Sequence, residues 1–136
     1  MSTSNTRNQN QIMAMSCLYE FLTRVEMKDE IDVKDLVERV SDMPLDDVDL
    51  FVREVVIKAI KNRDEIIASL QVNMKKWRFS RLNRITQSIL LLAVAHYRYI
   101  KEVERGVVID IAVRLAKRFL DSDDYKFVNA VLDSTL

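Results

Sequence analysis

Glycine and proline occur once each in this chain, at Gly106 and Pro44, although the chain is 136 residues long. Sheet-forming domains use many glycines and prolines in hairpin turns and bulges, so this scarcity argues against β-rich folds. Hydrophobic residues make up 49% of the chain, which is enough for one real core. The length is too short for two domains of ordinary size. We therefore predict an all-α fold in a single domain over residues 1–136.

Apolar residues recur at helical spacing along most of the chain, and these stripes predict about seven helices. We expect a flexible N-terminus over residues 1–10, N-terminal helices within 11–73 and C-terminal helices within 74–136. The third helix is predicted to begin near Pro44 and to run unbroken to Leu70. The stretch from Ile85 to Ile100 is apolar nearly all round, which is typical of a helix at the centre of a domain.

Cysteine content and hydropathy limit the cellular compartments in which the protein is expected. The single cysteine, Cys17, cannot form an intramolecular disulfide, and the usual structural zinc sites lack their ligands. The longest apolar run, from Ile89 to Ala95, is too short to cross a membrane, and no signal segment opens the chain. We expect a cytoplasmic protein without a metal or other cofactor.

Residues suited to catalysis are few. One glycine is not enough for a loop that cradles phosphate groups. His96 and Cys17 each lie in an apolar helix without a third orienting group, so a helix-boundary imidazole and a core thiol are favoured over a nucleophile and base. The carboxylate pairs at 46–47 and 123–124 fall at predicted helix starts, where capping explains them. The sequence does not predict an enzyme.

Charge is unevenly distributed, although the formal net charge is zero. Residues 1–74 have 9 basic and 14 acidic side chains, whereas Lys75 to Arg118 has 11 basic and 3 acidic ones. Positive charge is densest in the stretch KKWRFSRLNR, from Lys75 to Arg84. This stretch has five basic residues, a tryptophan, a phenylalanine and no acidic residue. We predict a short helix or turn here. Its charges either solvate one face of a helical bundle or bind a polyanion.

The C-terminal stretch VVIDIAVRLAKRFLDSDDYKFVNAVLD, from Val107 to Asp133, resembles the signature of the NusB transcription antitermination family. RLNRITQSILLLA and AMSCLYEFL are similar to two further segments of that family. The resemblance implies a compact, NusB-like helical domain. It also implies that the protein joins NusE, a ribosomal protein of the small subunit, to grip boxA-type leader RNA in an RNA polymerase antitermination complex. Such binding needs a basic surface for phosphates and planar groups on which unpaired bases stack.

The resemblance and the cations together suggest site residues. The expected NusE-binding residues are Arg84 and Thr86. Phe127 suits a base contact and a core position equally well, and Asn129 is expected to be a buried amide tied to neighbouring backbone. The expected RNA-binding residues are Arg7, Gln11, Tyr19, Lys75, Lys76, Arg78, Arg81, Lys126 and Phe127.

The chain departs from the family pattern at its binding surfaces. The arginine cluster that opens helix one in the family is reduced to Arg7, and Thr86 replaces an acid that faces NusE. Leu91 and Ile111 replace an arginine and a glutamate, so we expect both side chains to be buried between the fifth and sixth helices. They should be in van der Waals contact, or share one apolar neighbour, where the family has an ion pair. Three interpretations stay open: an RNA-binding antitermination factor, a protein-binding module of the same fold without strong RNA binding, and an accessory domain of an RNA-modifying enzyme.

Overall fold

The computed structural model describes residues 6–100 and 103–136, and these residues contain helices but no β-strand. Two short 3-10 helices, Leu45–Asp47 and Phe79–Arg81, accompany seven α-helices. The all-α prediction is confirmed. None of the described helices is both long and apolar enough to span a membrane. The α-helices are α1 (Arg7–Glu26), α2 (Val33–Ser41), α3 (Leu50–Lys61), α4 (Arg63–Val72), α5 (Arg84–Tyr99), α6 (Arg105–Phe119) and α7 (Asp124–Thr135).

Helix α1 begins at Arg7 because Thr6 forms a capping box with Gln9. The Thr6 hydroxyl accepts a hydrogen bond from the Gln9 N–H at 3.2 Å, and the Gln9 side chain accepts one from the Thr6 N–H at 2.7 Å. Each bond satisfies a backbone donor that the helix start would otherwise leave unpaired. Residues 7–10, which were predicted to belong to a flexible N-terminus, thus form the first turn of α1, and residues 1–5 lie outside the described part.

The start of the predicted third helix is also different from expectation. Pro44 precedes the 3-10 helix Leu45–Asp47 and is not in the first turn of an α-helix. Helix α3 begins only at Leu50, where the carboxylate of Asp49 accepts a hydrogen bond from the Phe51 N–H at 2.9 Å. A side-chain cap of this kind fixes the helix start more strongly than the proline does.

The predicted third helix is in fact two helices, because the chain leaves helical geometry at Asn62. Its φ of −108° and ψ of 17° interrupt the helix, and its side-chain amide donates to the Lys58 carbonyl oxygen at 2.8 Å. Arg63 then donates to the Ile60 carbonyl oxygen at 3.0 Å and lies over the ring of Phe21, 5.1 Å from its centroid. Both α3 and α4 pack against α5, so the apolar stripe continues through the break.

Helix α5 is the central helix of the domain, as its apolar sequence predicts. It packs against α1, α3, α4, α6 and α7. Every residue from Ser88 to His96 is buried, so about two and a half turns of this helix have no solvent-facing side. The helix starts after Asn83, whose side chain accepts a hydrogen bond from the Ile85 N–H at 2.8 Å. The basic segment, which we define as Lys75 to Asn83 between α4 and α5, therefore leads directly into the most buried element of the fold.

Helix α7 packs through Val128, Val131 and Leu132, which are buried, while Phe127 is half-buried at the edge of the same stripe. Asn129 is exposed, and none of the described hydrogen bonds involves its side chain. The expectation of a buried, hydrogen-bonded amide is therefore wrong. The helical turn of about 100° per residue carries position 129 out of the stripe that position 128 occupies.

Candidate nucleic-acid interface

Two glutamines hold the basic segment between α4 and α5. The side-chain NH₂ of Gln71 donates to the carbonyl oxygens of Met74 and Trp77, at 3.2 and 2.7 Å, and its oxygen accepts from the Phe79 N–H at 2.9 Å. From α5, the Gln87 side chain donates to the Phe79 carbonyl oxygen at 2.7 Å. The side chains of Met74 and Phe79 are buried as well. These contacts give the segment one defined path across the surface.

This path places the exposed ring of Trp77 against the half-buried ring of Phe127 at the surface. Trp77 is 58% exposed, and its ring meets Phe127 edge to face, with the ring centroids 6.0 Å apart and the planes at 75°. A cavity of about 250 Å³ opens beside the pair, and we name it the Trp77 pocket. The pocket is lined by Trp77, Arg81, Leu82, Asn83, Thr86, Asp124 and Phe127.

Four cations belong to the same segment, namely Lys75, Lys76, Arg78 and Arg81. All four are exposed, and none forms an ion pair within the described part of the chain. Phosphate groups release counterions when such cations neutralise them, which favours binding of a polyanion. The exposed rings and the unpaired cations thus supply the two kinds of contact that unpaired RNA uses.

Lys126 lies beside Phe127 at the start of α7. Its ammonium group is 3.6 Å from a carboxylate oxygen of Asp123, and both side chains are mostly exposed. Ion pairs of this kind are worth only about 0–1 kcal/mol, because water screens them. A phosphate group could therefore replace the Asp123 carboxylate at little cost.

Arg84 and Tyr19 form a second group, between the first turn of α5 and the middle of α1. The Arg84 guanidinium forms an ion pair with Glu26, donates to the Thr23 hydroxyl at 3.2 Å and lies 5.8 Å from the centroid of the Tyr19 ring. Tyr19 is 41% exposed. Although Tyr19 was predicted among the RNA-binding residues, the structure places it with Arg84 and not with the Trp77 pocket.

The remaining predicted residues, Arg7 and Gln11, lie at the start of α1. Arg7 is exposed, whereas Gln11 is only 3% exposed and accepts a long hydrogen bond of 3.5 Å from Arg114. Both line a cleft of about 460 Å³, together with Asn10 and His96. Arg7 and Tyr19 are 12 residues apart on α1, which corresponds to about 18 Å. The predicted RNA-binding residues therefore fall into three separate groups.

Trp77 is the residue that sequence reasoning missed. The predicted site included the cations on both sides of this tryptophan and left out the ring between them. The signal was present, because the tryptophan lies inside a run of cations, between Lys76 and Arg78. Gln71 and Gln87 gave no such signal, since their role depends on the path of the segment in three dimensions.

The two residues considered for nucleophilic chemistry lie in the core. Cys17 is fully buried, and burial raises the pKa of its thiol to about 12, which keeps it neutral. His96 is also buried, at 9% exposure, with its ring 4.9 Å from that of Phe51. Burial lowers the pKa of His96 below its ordinary value. The core-thiol prediction for Cys17 is confirmed, whereas His96 lies deeper than the predicted helix boundary.

The family model of the NusB family matches residues 8–136. The chain belongs to the NusB family. The transcription antitermination protein NusB of Bacillus mycoides is 31% identical over 121 residues, which cover 89% of this chain and 89% of that protein. The solution structure of NusB from Aquifex aeolicus is similar with a TM-score of 0.75 and 26% identity, covering 95% of this chain and 86% of that one. A complex of NusB and NusE with double-stranded RNA contains a chain with a TM-score of 0.79 and 24% identity, covering 95% and 94%.

Two positions in the site differ from the residues expected in the NusB family. Thr86, where an acid was expected to face the partner, is only 7% exposed and lines the Trp77 pocket. The side chain therefore offers a small hydroxyl at the wall of a pocket that also contains Arg81. At the start of α1, Arg7 is the only cation where a cluster was expected, and its neighbours Asn10 and Gln11 are buried. The basic segment thus carries most of the unpaired positive charge in this NusB family member's candidate site.

Proposed function

We propose that this protein is an RNA-binding transcription antitermination factor of the cytoplasm. It acts with NusE on boxA-type leader RNA, within an RNA polymerase antitermination complex. The observation that carries the proposal is the exposed ring of Trp77, in contact with Phe127 of α7, in a segment with four unpaired cations. The similarity to NusB proteins, one of them in a complex with NusE and double-stranded RNA, supports it.

In this proposal the cations and the aromatic rings contact different parts of the RNA. The cations of the basic segment neutralise phosphate groups and hold the RNA backbone along the surface. An unpaired base then stacks on the exposed ring of Trp77, which the edge-to-face contact with Phe127 helps to hold in place. Lys126 adds a further phosphate contact once it leaves Asp123. No bond is made or broken, so the proposed activity is not enzymatic.

NusE contacts the group formed by Tyr19 and Arg84 in this proposal, and it reaches Thr86 only at the wall of the adjoining Trp77 pocket. Tyr19 presents an exposed ring, and Arg84 is positioned by Glu26 and Thr23. Arg84 begins α5 and Arg81 lies just before it, so a partner on this group adjoins the RNA on the basic segment. One composite surface then binds both the RNA and the protein.

The test is a binding experiment with purified chain, NusE and a boxA-containing leader RNA, in which each component is omitted in turn. We expect tight, sequence-selective binding only with both proteins present, because Arg7 alone replaces an arginine cluster at the start of α1. Affinity should fall steeply as salt increases, since phosphate contacts release counterions. Tight, selective binding by the isolated chain contradicts the requirement for NusE.

A second candidate function is a protein-binding module of the same fold without strong RNA binding. The reduced charge at the start of α1, where Gln11 is buried and Arg7 is the only exposed cation among residues 6–11, favours it. In that case NusE still binds the chain, but adding the chain to NusE leaves the RNA affinity and its salt dependence unchanged. The same titration therefore separates the two candidates.

A further inference from the structure

We propose that a groove between α2 and α3 binds an acidic amphipathic helix of a protein partner. The groove has a volume of about 350 Å³ and shares no residue with the Trp77 pocket. On α3, Arg53, Ile57 and Lys61 recur at a spacing of four residues, so apolar and basic side chains share the helix face that lines the groove. We name it the α2–α3 groove, and it is lined by Val33, Lys34, Val37, Leu45, Arg53, Ile57, Ile60 and Lys61.

The floor of the groove is apolar and partly open to solvent. Ile57 is 46% exposed, and Leu50, seven residues earlier on α3, is 57% exposed. Seven residues are almost two full turns, so both side chains lie on the same face of α3. The lining residues of α3 run from Arg53 to Lys61, which corresponds to about 12 Å along the helix axis. A partner helix that places apolar anchors at i, i+3 and i+7 spans about the same length.

The rim of the groove is positively charged. Lys34, Arg53 and Lys61 line it, and none of them forms an ion pair within the described part of the chain. The Nε atom of Arg53 is buried and has no hydrogen-bond acceptor. A partner's carboxylate would pair with the positive charge of the three rim side chains and not with this buried atom.

The acidic residues nearby do not neutralise this rim. On α2, Asp35 pairs with Arg39, and Glu38 accepts a hydrogen bond from the Leu45 N–H at 2.8 Å. Neither Asp35 nor Glu38 lines the groove, and nor does Glu54 on α3. The lining side chains therefore carry three positive charges and no negative ones.

The chemistry of the groove selects a protein and not RNA. Its lining contains no aromatic ring on which a base could stack. Its floor is aliphatic, and nucleic acid has few groups that would fill such a floor. An amphipathic helix has both required features, because leucine-like anchors fill the floor while carboxylates on its flanks face Lys34, Arg53 and Lys61.

The probe is a synthetic helical peptide of about 14 residues, with leucines at i, i+3 and i+7 and glutamates on both flanks. A matched peptide has lysines in place of the glutamates. Calorimetric titration of the full chain should show one glutamate peptide bound per chain, with the lysine peptide at least about tenfold weaker. Absence of binding by the glutamate peptide, or equal binding of the two peptides, overturns the proposal.

Variants of exposed residues locate the peptide. Ile57→Asp should weaken the glutamate peptide at least about tenfold, whereas Val72→Asp, at a 75% exposed position on α4, should leave its affinity unchanged. The double variant Lys34→Glu with Lys61→Glu should reverse the preference towards the lysine peptide, and Lys28→Glu with Lys117→Glu serves as its control. Far-UV circular dichroism verifies that each variant is folded. If Ile57→Asp has no effect or the preference does not reverse, the peptide does not occupy the groove and the proposal is wrong.

Discussion

The indole ring of Trp77 contributes more to the proposed RNA site than to the core, since 58% of the residue is exposed. We expect Trp77→Ala to lower the affinity of the chain and NusE for boxA RNA by about 1–3 kcal/mol, the range for loss of one stacked base. The free energy of unfolding should change by less than about 1 kcal/mol. Filter binding and urea denaturation measure the two quantities, with Val72→Ala as the control for an exposed apolar residue. Unchanged RNA affinity would show that no base stacks on this ring.

Phe127 should behave differently, because its half-buried ring packs against the core and also supports Trp77. Phe127→Ala is expected to lower the free energy of unfolding by about 1–3 kcal/mol, less than full burial would cost. It should also lower RNA affinity by about 1–3 kcal/mol. Loss of stability with full retention of RNA binding would show that Phe127 serves the core alone. The same urea and filter-binding measurements decide.

His96 is the only histidine in the chain and gives stability a defined pH dependence. Burial lowers its pKa below the ordinary value of 6.5, so at mildly acidic pH the unfolded chain takes up a proton that the folded protein does not. Its contribution to stability is therefore complete above about pH 6.5 and is lost as pH falls below that value. As pH falls from about 7.5 to about 5.5 we expect a loss of stability that His96→Gln does not show. Parallel pH profiles from urea denaturation would contradict this expectation.

Leu91 and Ile111 are the two positions where aliphatic residues replace the ion pair expected from the family pattern. Both are buried, at 1% and 7% exposure, as expected for aliphatic replacements of charged residues. The small void between α5 and α6 is lined by Ile111, but on α5 it is lined by Ile89, Leu92, Ala93 and His96. At about 100° per residue, Leu91 points roughly 150° away from the centre of that group. Leu91 therefore does not line the void beside Ile111, and a contact or a shared apolar neighbour between the two side chains stays a prediction.

At the level of elements, Gln71 fixes the basic segment without belonging to its surface. We expect Gln71→Ala to weaken RNA binding several-fold, because three hydrogen bonds that hold Met74, Trp77 and Phe79 are lost together. Amide hydrogen exchange at Phe79 should become faster in the same variant. Unchanged exchange at Phe79 would show that buried side chains alone hold the segment.

The cations of the segment should appear in the salt dependence of binding. Each phosphate contact on single-stranded RNA contributes about 0.7 to the slope of log affinity against log salt concentration. Lys75→Gln combined with Arg78→Gln should therefore reduce that slope by about 1.4. The control, Lys28→Gln with Lys58→Gln, removes two exposed cations outside the segment. An equal reduction in both double variants would indicate a general charge effect.

Helix type was easier to predict than helix boundaries, and the reason is physical. Hydrophobic periodicity reports which face is buried, and this face is continuous from α3 into α4 because both pack on α5. The break at Asn62 depends on a competition between its side chain and the backbone, which periodicity does not record. The candidate site was predictable where charge marked it, in Lys75 to Arg81. The grouping of Tyr19 with Arg84 required the three-dimensional fold.

At the scale of the whole molecule, α5 joins the N-terminal and C-terminal helices into one core. Leu90 on this helix is fully buried, and Leu90→Ala should lower the free energy of unfolding by about 2–5 kcal/mol. Because α5 contacts both groups of helices, we expect a single cooperative transition. Amide resonances of α1 and α7 should therefore disappear at the same urea concentration. Separate transitions for these two helices would contradict a shared core.

Trp77 is also the only tryptophan in the chain, and its solvent-exposed ring lies beside the ring of Phe127. Its indole therefore provides a built-in optical reporter whose emission depends on contact with solvent. A base that covers the ring would quench and shift this emission, whereas a peptide in the α2–α3 groove would leave it unchanged. The two binding sites argued for this protein can thus be followed separately in one unlabelled sample.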